Sequence, residues 1–257
     1  MKLMKKIAAI AAMVMMATAV FALDGKTVVQ KALDVQKPSF SKSQVYMDLI
    51  EADGTTESRA IIEYGKSDGT DESLVMMFKS PASVKDTRFL QITHKDAADD
   101  KWIYLPALRT VRRVASSQGD KSFMGSDATY NDMSTREINE DTHELIAQDV
   151  AKNGYTCNQV KSIPVDSSDA QYSYRMCWYD ETTNYPIYTE LFDKDGKLLK
   201  TLVVEKLENI SGYDTPMSTI LTNVQTGHAT RLRIVKFIAD EAIPDSVFTQ
   251  SFLKTGR

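Results

Sequence analysis

The chain has 257 residues, 42% hydrophobic and 26% charged, with a formal net charge of −4. That is enough material for a full apolar core, and it excludes the basic surface that nucleic acid rewards, so no nucleic-acid partner is expected. Two cysteines and three scattered histidines leave little for a metal site, and neither cofactor nor metal is expected.

Lys2, Lys5 and Lys6 precede an almost wholly apolar run from Ile7 to Phe21, and Val20-Phe21-Ala22 offers permitted residues for cleavage. Residues 1–22 read as a secretory signal peptide. The competing reading, a membrane anchor, asks for roughly 20 apolar residues. Cleavage removes three lysines and no acids, which moves the formal charge from −4 to −7. Residues 23–257 then form one soluble domain in the periplasm.

Asp24 to Val35 places Val28, Val29, Ala32 and Leu33 at helical spacing behind a capping Asp24, which predicts an amphipathic helix. Strand patterns follow. Ser43 to Glu51 alternates, Asp53-Gly54 turns, and Thr56 to Lys66 returns. Leu74 to Lys79 is apolar on both faces, Thr87 to His94 resumes after Pro81, and Lys101 to Leu105 is a short aromatic strand. Thr110 to Met133 is the least strand-like part, with a helical turn expected at Tyr130–Met133. Thr142–Val150, Tyr155–Ile163, Gln171–Asp180, Ile187–Asp193 and Lys197–Leu207 are successive strands, and Met217–Gln225 with Ala229–Ile238 forms a last hairpin. Asp240–Leu253 suits a closing segment that packs back on the body. The pattern gives roughly ten or eleven strands. The fold class is therefore mainly β: a single curved antiparallel sheet with a few helices covering its concave apolar face.

Cys157 and Cys177 both fall in strand patterns. In an oxidising compartment such a pair suggests one disulfide between neighbouring strands, worth about 3 kcal/mol in the chain-entropy model. Two buried free thiols are the alternative. No CxxC motif supports thiol chemistry.

Enzyme readings find little to stand on. His94, His143 and His228 share no metal-ligand spacing, and HExxH, GxSxG and P-loop motifs are absent. Ser126 and Asp127 could belong to a hydrolytic site, but no partnered histidine is identifiable, so no catalytic residue is assigned. A binding wall has more support. Met76, Phe78, Phe89, Trp102, Tyr104, Phe123, Met124 and Tyr130 are the candidate lining of an acyl-chain cavity; taken singly, each reads better as a core residue, and it is the group that suggests a wall. Arg109, Arg112 and Arg113 are candidate anchors for a head group or a docking partner, or a solvated basic patch.

The segment Trp102-Ile103-Tyr104-Leu105-Pro106-Ala107-Leu108-Arg109 with Arg112-Arg113, followed by Ser122-Phe123-Met124-Gly125-Ser126-Asp127, Tyr130 and Asp132, resembles the outer-membrane lipoprotein-sorting protein family, which is LolA-like. The resemblance continues through Gly154-Tyr155-Thr156-Cys157, Tyr185-Pro186, Asp195-Gly196-Lys197 and the Phe248–Leu253 end. It implies an incomplete antiparallel barrel whose concave side is plugged by helices, with space between for acyl chains. The implied function is a periplasmic carrier of lipid or lipoprotein acyl chains, moving them toward the outer membrane. An inner-membrane exporter and an outer-membrane acceptor would be its partners. A rival reading is an envelope sensor or regulatory lipid-binding module that acts through a partner protein; a third is an enzyme of envelope lipids.

Overall fold

The computed structural model describes residues 23–95, 97–168 and 170–257. The expected signal peptide lies outside the described residues. Helix α1 (Gly25–Leu33) starts where the Asp24 carboxylate accepts the Thr27 N–H at 2.7 Å, which satisfies one of the donors a helix start leaves unpaired. The strands are β1 (Phe40–Ile50), β2 (Thr56–Ser67), β3 (Glu72–Ser80), β4 (Arg88–Thr93), β5 (Asp100–Leu105), β6 (Thr110–Arg113), β7 (Asp141–Lys152), β8 (Tyr155–Pro164), β9 (Tyr174–Asp180), β10 (Pro186–Phe192), β11 (Leu198–Ile210), β12 (Tyr213–Asn223) and β13 (Ala229–Ala239). A 3-10 turn (Asp245–Phe248) and α2 (Gln250–Thr255) end the chain.

All thirteen strands lie in one sheet, in the order β6-β5-β4-β3-β2-β1-β13-β12-β11-β10-β9-β8-β7. Neighbours pair antiparallel throughout. The short β6 goes beyond the expected count, because Thr-Val-Arg-Arg shows no alternation of its own. The sheet is not closed: β6 and β7 are its edges. On β7 the pairing with β8 shifts register between Leu145 and Ala147 and again between Ala147 and Val150. The Tyr130–Met133 segment is a turn, with the Ser134 N–H donating to the Asn131 carbonyl at 3.1 Å.

Pairing fixes which side chains share a face, because directly opposed residues point the same way. One face, here called inner, carries Val45, Met47 and Leu49 of β1, Ile61 of β2, Met76 and Phe78 of β3, Phe89 of β4 and Ile103 of β5. The same face continues through Leu232 of β13, Leu221 of β12, Leu202 of β11 and Leu191 of β10. It has two covers. Helix α1 lies over β7–β9, with Val28 and Val29 packed on Val160. The irregular excursion between β6 and β7, residues 114–140, lies over β1–β5 and inserts Phe123 among Phe78, Phe89 and Tyr130.

The outer face is covered differently. Val75 and Met77 of β3 and Leu90 of β4 pack under Phe248, Phe252 and Leu253 of the closing segment. So of the two α-helices among the described residues only α1 covers the inner face; α2 lies on the opposite side of the sheet, and the rest of the inner cover is irregular chain with one 3-10 turn, Ser116–Gln118. This is why Leu74 to Lys79 is apolar on both faces: each face of β3 has its own core.

The expected disulfide is absent. Cys157 and Cys177 are both buried free thiols. They sit on adjacent strands, but Cys157 opposes Asp180 and Cys177 opposes Val160. An odd offset of three residues puts the two sulfurs on opposite faces of the sheet, which no disulfide geometry can bridge. Cys177 contacts the Thr189 hydroxyl at 3.2 Å instead.

Candidate functional site

Between the two covers and the inner face lies a cavity of about 540 Å³, within the ~300–1,000 Å³ range of small-molecule sites. Its walls combine Met76 of β3, Met47 of β1, the leucines of β10–β13, Arg175 and Tyr179 of β9, Val29 and Leu33 of α1, and Phe123 and residues 131–137 of the excursion. From β3 to β9 is seven strand steps, about 34 Å along a flat sheet. Side chains from both can line one cavity because the sheet curls strongly around it.

The cavity is two-ended. Its β1 and β10–β13 side is apolar, built on Met47, Leu191, Leu202, Leu221 and Leu232. Its other end carries charge. Asp141 accepts from Arg136 Nε at 2.9 Å and from Arg175 Nη2 at 2.5 Å. Burial raises the Asp141 pKa, but the two guanidinium groups outweigh it and hold the carboxyl below its ordinary value. A second cluster ties the excursion to β11: Lys200 Nζ donates to Asp132 at 3.0 Å and to the Tyr172 hydroxyl at 2.9 Å, and Tyr172 donates to Asp132 at 2.8 Å. Burial, and then the adjacent Asp132, push the Tyr172 phenol well up, so it stays a neutral donor.

Further polar contacts hold the excursion to the sheet. Arg59 of β2 donates to the Met124 carbonyl. Gln91 of β4 donates to the Met133 carbonyl at 2.9 Å, and Lys101 of β5 to the Ser134 hydroxyl at 2.6 Å. The Asp127 carboxylate accepts from the Thr230 hydroxyl at 2.7 Å and contacts His228 Nδ1 at 2.6 Å.

The structure separates the sequence candidates into three groups. Met76 and Phe123 line the cavity. Phe78 and Phe89 are fully buried in a core cluster against which Met124 and Tyr130 pack, and none of the four lines the cavity. Trp102 and Tyr104 point to the other face, into the core under α2; strand alternation sends Ile103 inward and its two neighbours outward. Arg109, Arg112 and Arg113 are exposed at the β5–β6 edge, away from the cavity, and Arg113 pairs with Asp100 at 2.5 Å. Sequence reading missed the leucines of β10–β13, the Arg136–Asp141–Arg175 cluster and Lys200. The leucines were legible as one face of four strand patterns; the ion clusters join residues up to 68 positions apart and leave no local signal. His228 is the partner for Asp127 that the sequence did not disclose. The Ser126 hydroxyl turns away to donate to the Phe123 carbonyl at 2.7 Å. Among the described residues no group of three or more His, Cys, Asp or Glu is placed to hold a metal ion.

The fold is LolA-like. A domain named for outer-membrane lipoprotein sorting, from Vibrio parahaemolyticus, matches at 28% identity and a TM-score of 0.83, over 90% of this chain and 98% of its own. A DUF1329 family protein from Desulfovibrio piger matches at 26% identity and a TM-score of 0.83, over 89% of this chain and 97% of its own. A LolA superfamily protein from Nitrosomonas europaea shares the fold at 18% identity and a TM-score of 0.66, over 90% of this chain and 100% of its own. No curated protein matches the chain. A family model described as that of an uncharacterized protein matches residues 70–255.

Proposed function

Given that the chain belongs to the family of uncharacterized proteins whose model spans residues 70–255 and has a LolA-like fold, we propose that it is a periplasmic carrier of lipid or lipoprotein acyl chains. It takes the chains into the inner cavity and helps move them toward the outer membrane, receiving them from an inner-membrane exporter and passing them to an outer-membrane acceptor. The observation that carries this reading is the cavity of about 540 Å³ with its leucine wall. Each methylene buried there gains about 0.8 kcal/mol, so binding needs no covalent step. The leader-like residues 1–22 and the lipoprotein-sorting name of the Vibrio relative support the compartment and the cargo class. Among the described residues no helix is long and apolar enough to cross a membrane.

Release is the harder half of a carrier's task. In the empty form α1 can settle on the leucines and regain part of the apolar contact that a ligand supplies. Native mass spectrometry of protein purified from its own envelope tests the reading: a bound acyl species is expected. Leu202→Glu, which puts a carboxylate into the apolar wall, should lose that species. Protein that emerges empty, and that takes up no acyl probe in solution, would overturn the proposal.

A further inference from the structure

We propose, resting on the reading that the cavity receives acyl chains, that its charged end binds an oxyanion head group through Arg175. The preferred ligand is then an amphiphile with a carboxylate or phosphate head, not a neutral lipid.

Two guanidinium groups, Arg136 and Arg175, lean on one carboxylate, Asp141, whose side chain is only 4% exposed. That ratio leaves one positive charge in excess at this wall. The other acids nearby do not cancel it directly. Asp132 is engaged by Lys200 and Tyr172; Glu140, which also acts on Arg136, is exposed and accepts the Glu137 N–H at 2.8 Å, and Glu137 sits exposed at the rim, so water screens both.

Donor geometry points the same way. An arginine carries five N–H donors. Arg175 engages Asp141 through Nη2 and has no other hydrogen-bond partner among the described residues. Its side chain is 20% exposed, and it lines the cavity. From there the apolar wall begins at once: Leu191 is its cross-strand neighbour on β10, and Leu202, Leu221, Leu232 and Met47 follow on β11, β12, β13 and β1. Four strand steps from β10 to β1 give a track of about 19 Å. A head at β9 and a tail laid across the strands fit that arrangement.

Selectivity follows from desolvation. A chain entering the cavity displaces water from Arg175. A neutral head leaves a partly buried cation short of acceptors, which is costly. An oxyanion replaces that water with charge-assisted, bidentate bonds.

The test compares three ligands of equal tail length on the purified protein at pH 8: palmitate, hexadecyl phosphate and hexadecanol. Each displaces an uncharged acyl fluorophore, which reports tail occupancy whatever the head. At least one anion should bind about tenfold tighter than hexadecanol or better, the worth of one charge-assisted bond; which anion wins separates the carboxylate from the phosphate source. This comparison uses the unmodified chain, so it does not depend on a variant that folds. In Arg175→Gln the gap should shrink to about threefold or less. Equal binding of all three overturns the head-group assignment and leaves the carrier reading intact. A gap that survives Arg175→Gln moves the assignment off this residue. A fluorophore that never binds brings down both readings.

Discussion

The two covers of the inner face are held down by different forces. The 114–140 excursion is clamped by buried polar contacts on both sides: Arg59, Gln91 and Lys101 reach it from β2, β4 and β5, and Thr230 and Lys200 from β13 and β11. Helix α1 has an apolar seat, Val28 and Val29 on Val160, and a single exposed side-chain bond to the excursion, Lys26 to Asn139 at 2.9 Å. Buried charge pairs are costly to break one partner at a time. Apolar contact is non-directional and can be exchanged for contact with a ligand tail. The difference predicts separate roles: the excursion as a fixed wall, and α1 as the part of the cover that lifts first.

The comparison can be broken most directly at Lys200. Lys200→Met leaves the largely buried Asp132 carboxylate with the Tyr172 hydroxyl and the Thr129 N–H but no countercharge, and should cost roughly 3 kcal/mol. Urea unfolding measures it; a loss below that of any α1 substitution would mean the excursion is not the firmer cover. Val28→Ala comes next, at about 2 kcal/mol. Its signature is local: amide exchange should quicken through α1 and stay slow at Phe123 and Tyr130. Gly25→Ala should be milder. A Cβ there would meet the His143 carbonyl of β7 at 2.7 Å, so the helix start must rise off the sheet, while alanine's better helix propensity offsets part of the loss and leaves a net of about 1 kcal/mol. Faster uptake of an acyl probe is the expected readout.

The smallest effect is expected from pH, followed at the Asp141 clamp. The arginines hold Asp141 below its ordinary value against the opposing effect of burial. A carboxyl with a depressed folded pKa contributes stability that is present above its unfolded value, near 3.9, and is lost as pH falls through the folded one. Acidification below about pH 4 should therefore loosen residues 136–141; it also protonates the Asp24 cap of α1, whose carboxyl the Thr27 N–H holds below its ordinary value, so the comparison is made in Asp24→Ser, whose cap does not titrate. In that variant, exchange that quickens first in α1 under acid would reverse the roles given to the two covers.

Much of this architecture was legible before any coordinates, and what was hidden has a physical cause. Alternation on β1 and β2 and the Asp-Gly and Asn-Gly turns mark an antiparallel sheet, and Asp24 marks the start of α1. Periodicity cannot say which face meets which cover. On β3, Met76 and Phe78 go inward while Val75 and Met77 go outward, and the two sets look alike in sequence. Trp102 and Tyr104 were grouped with the cavity for that reason; the closing segment that claims them lies about 140 residues downstream. The cysteines show the same limit. Their strands are neighbours, as expected, but only the register reveals the odd offset. The Asp141 and Asp132 clusters assemble from β7, β9, β11 and two loops, so they exist only once the sheet has curled.

The unclosed edges of the sheet have a consequence of their own. A twelve-residue border strand such as β7 offers free N–H and C=O groups on which a second chain could grow. Its two register shifts and the left-handed Asp149, with φ of 53°, spoil the straight template that such growth requires. At the opposite border, β6 offers only four residues. A ribbon of this width can thus remain unclosed and still resist polymerising into fibres.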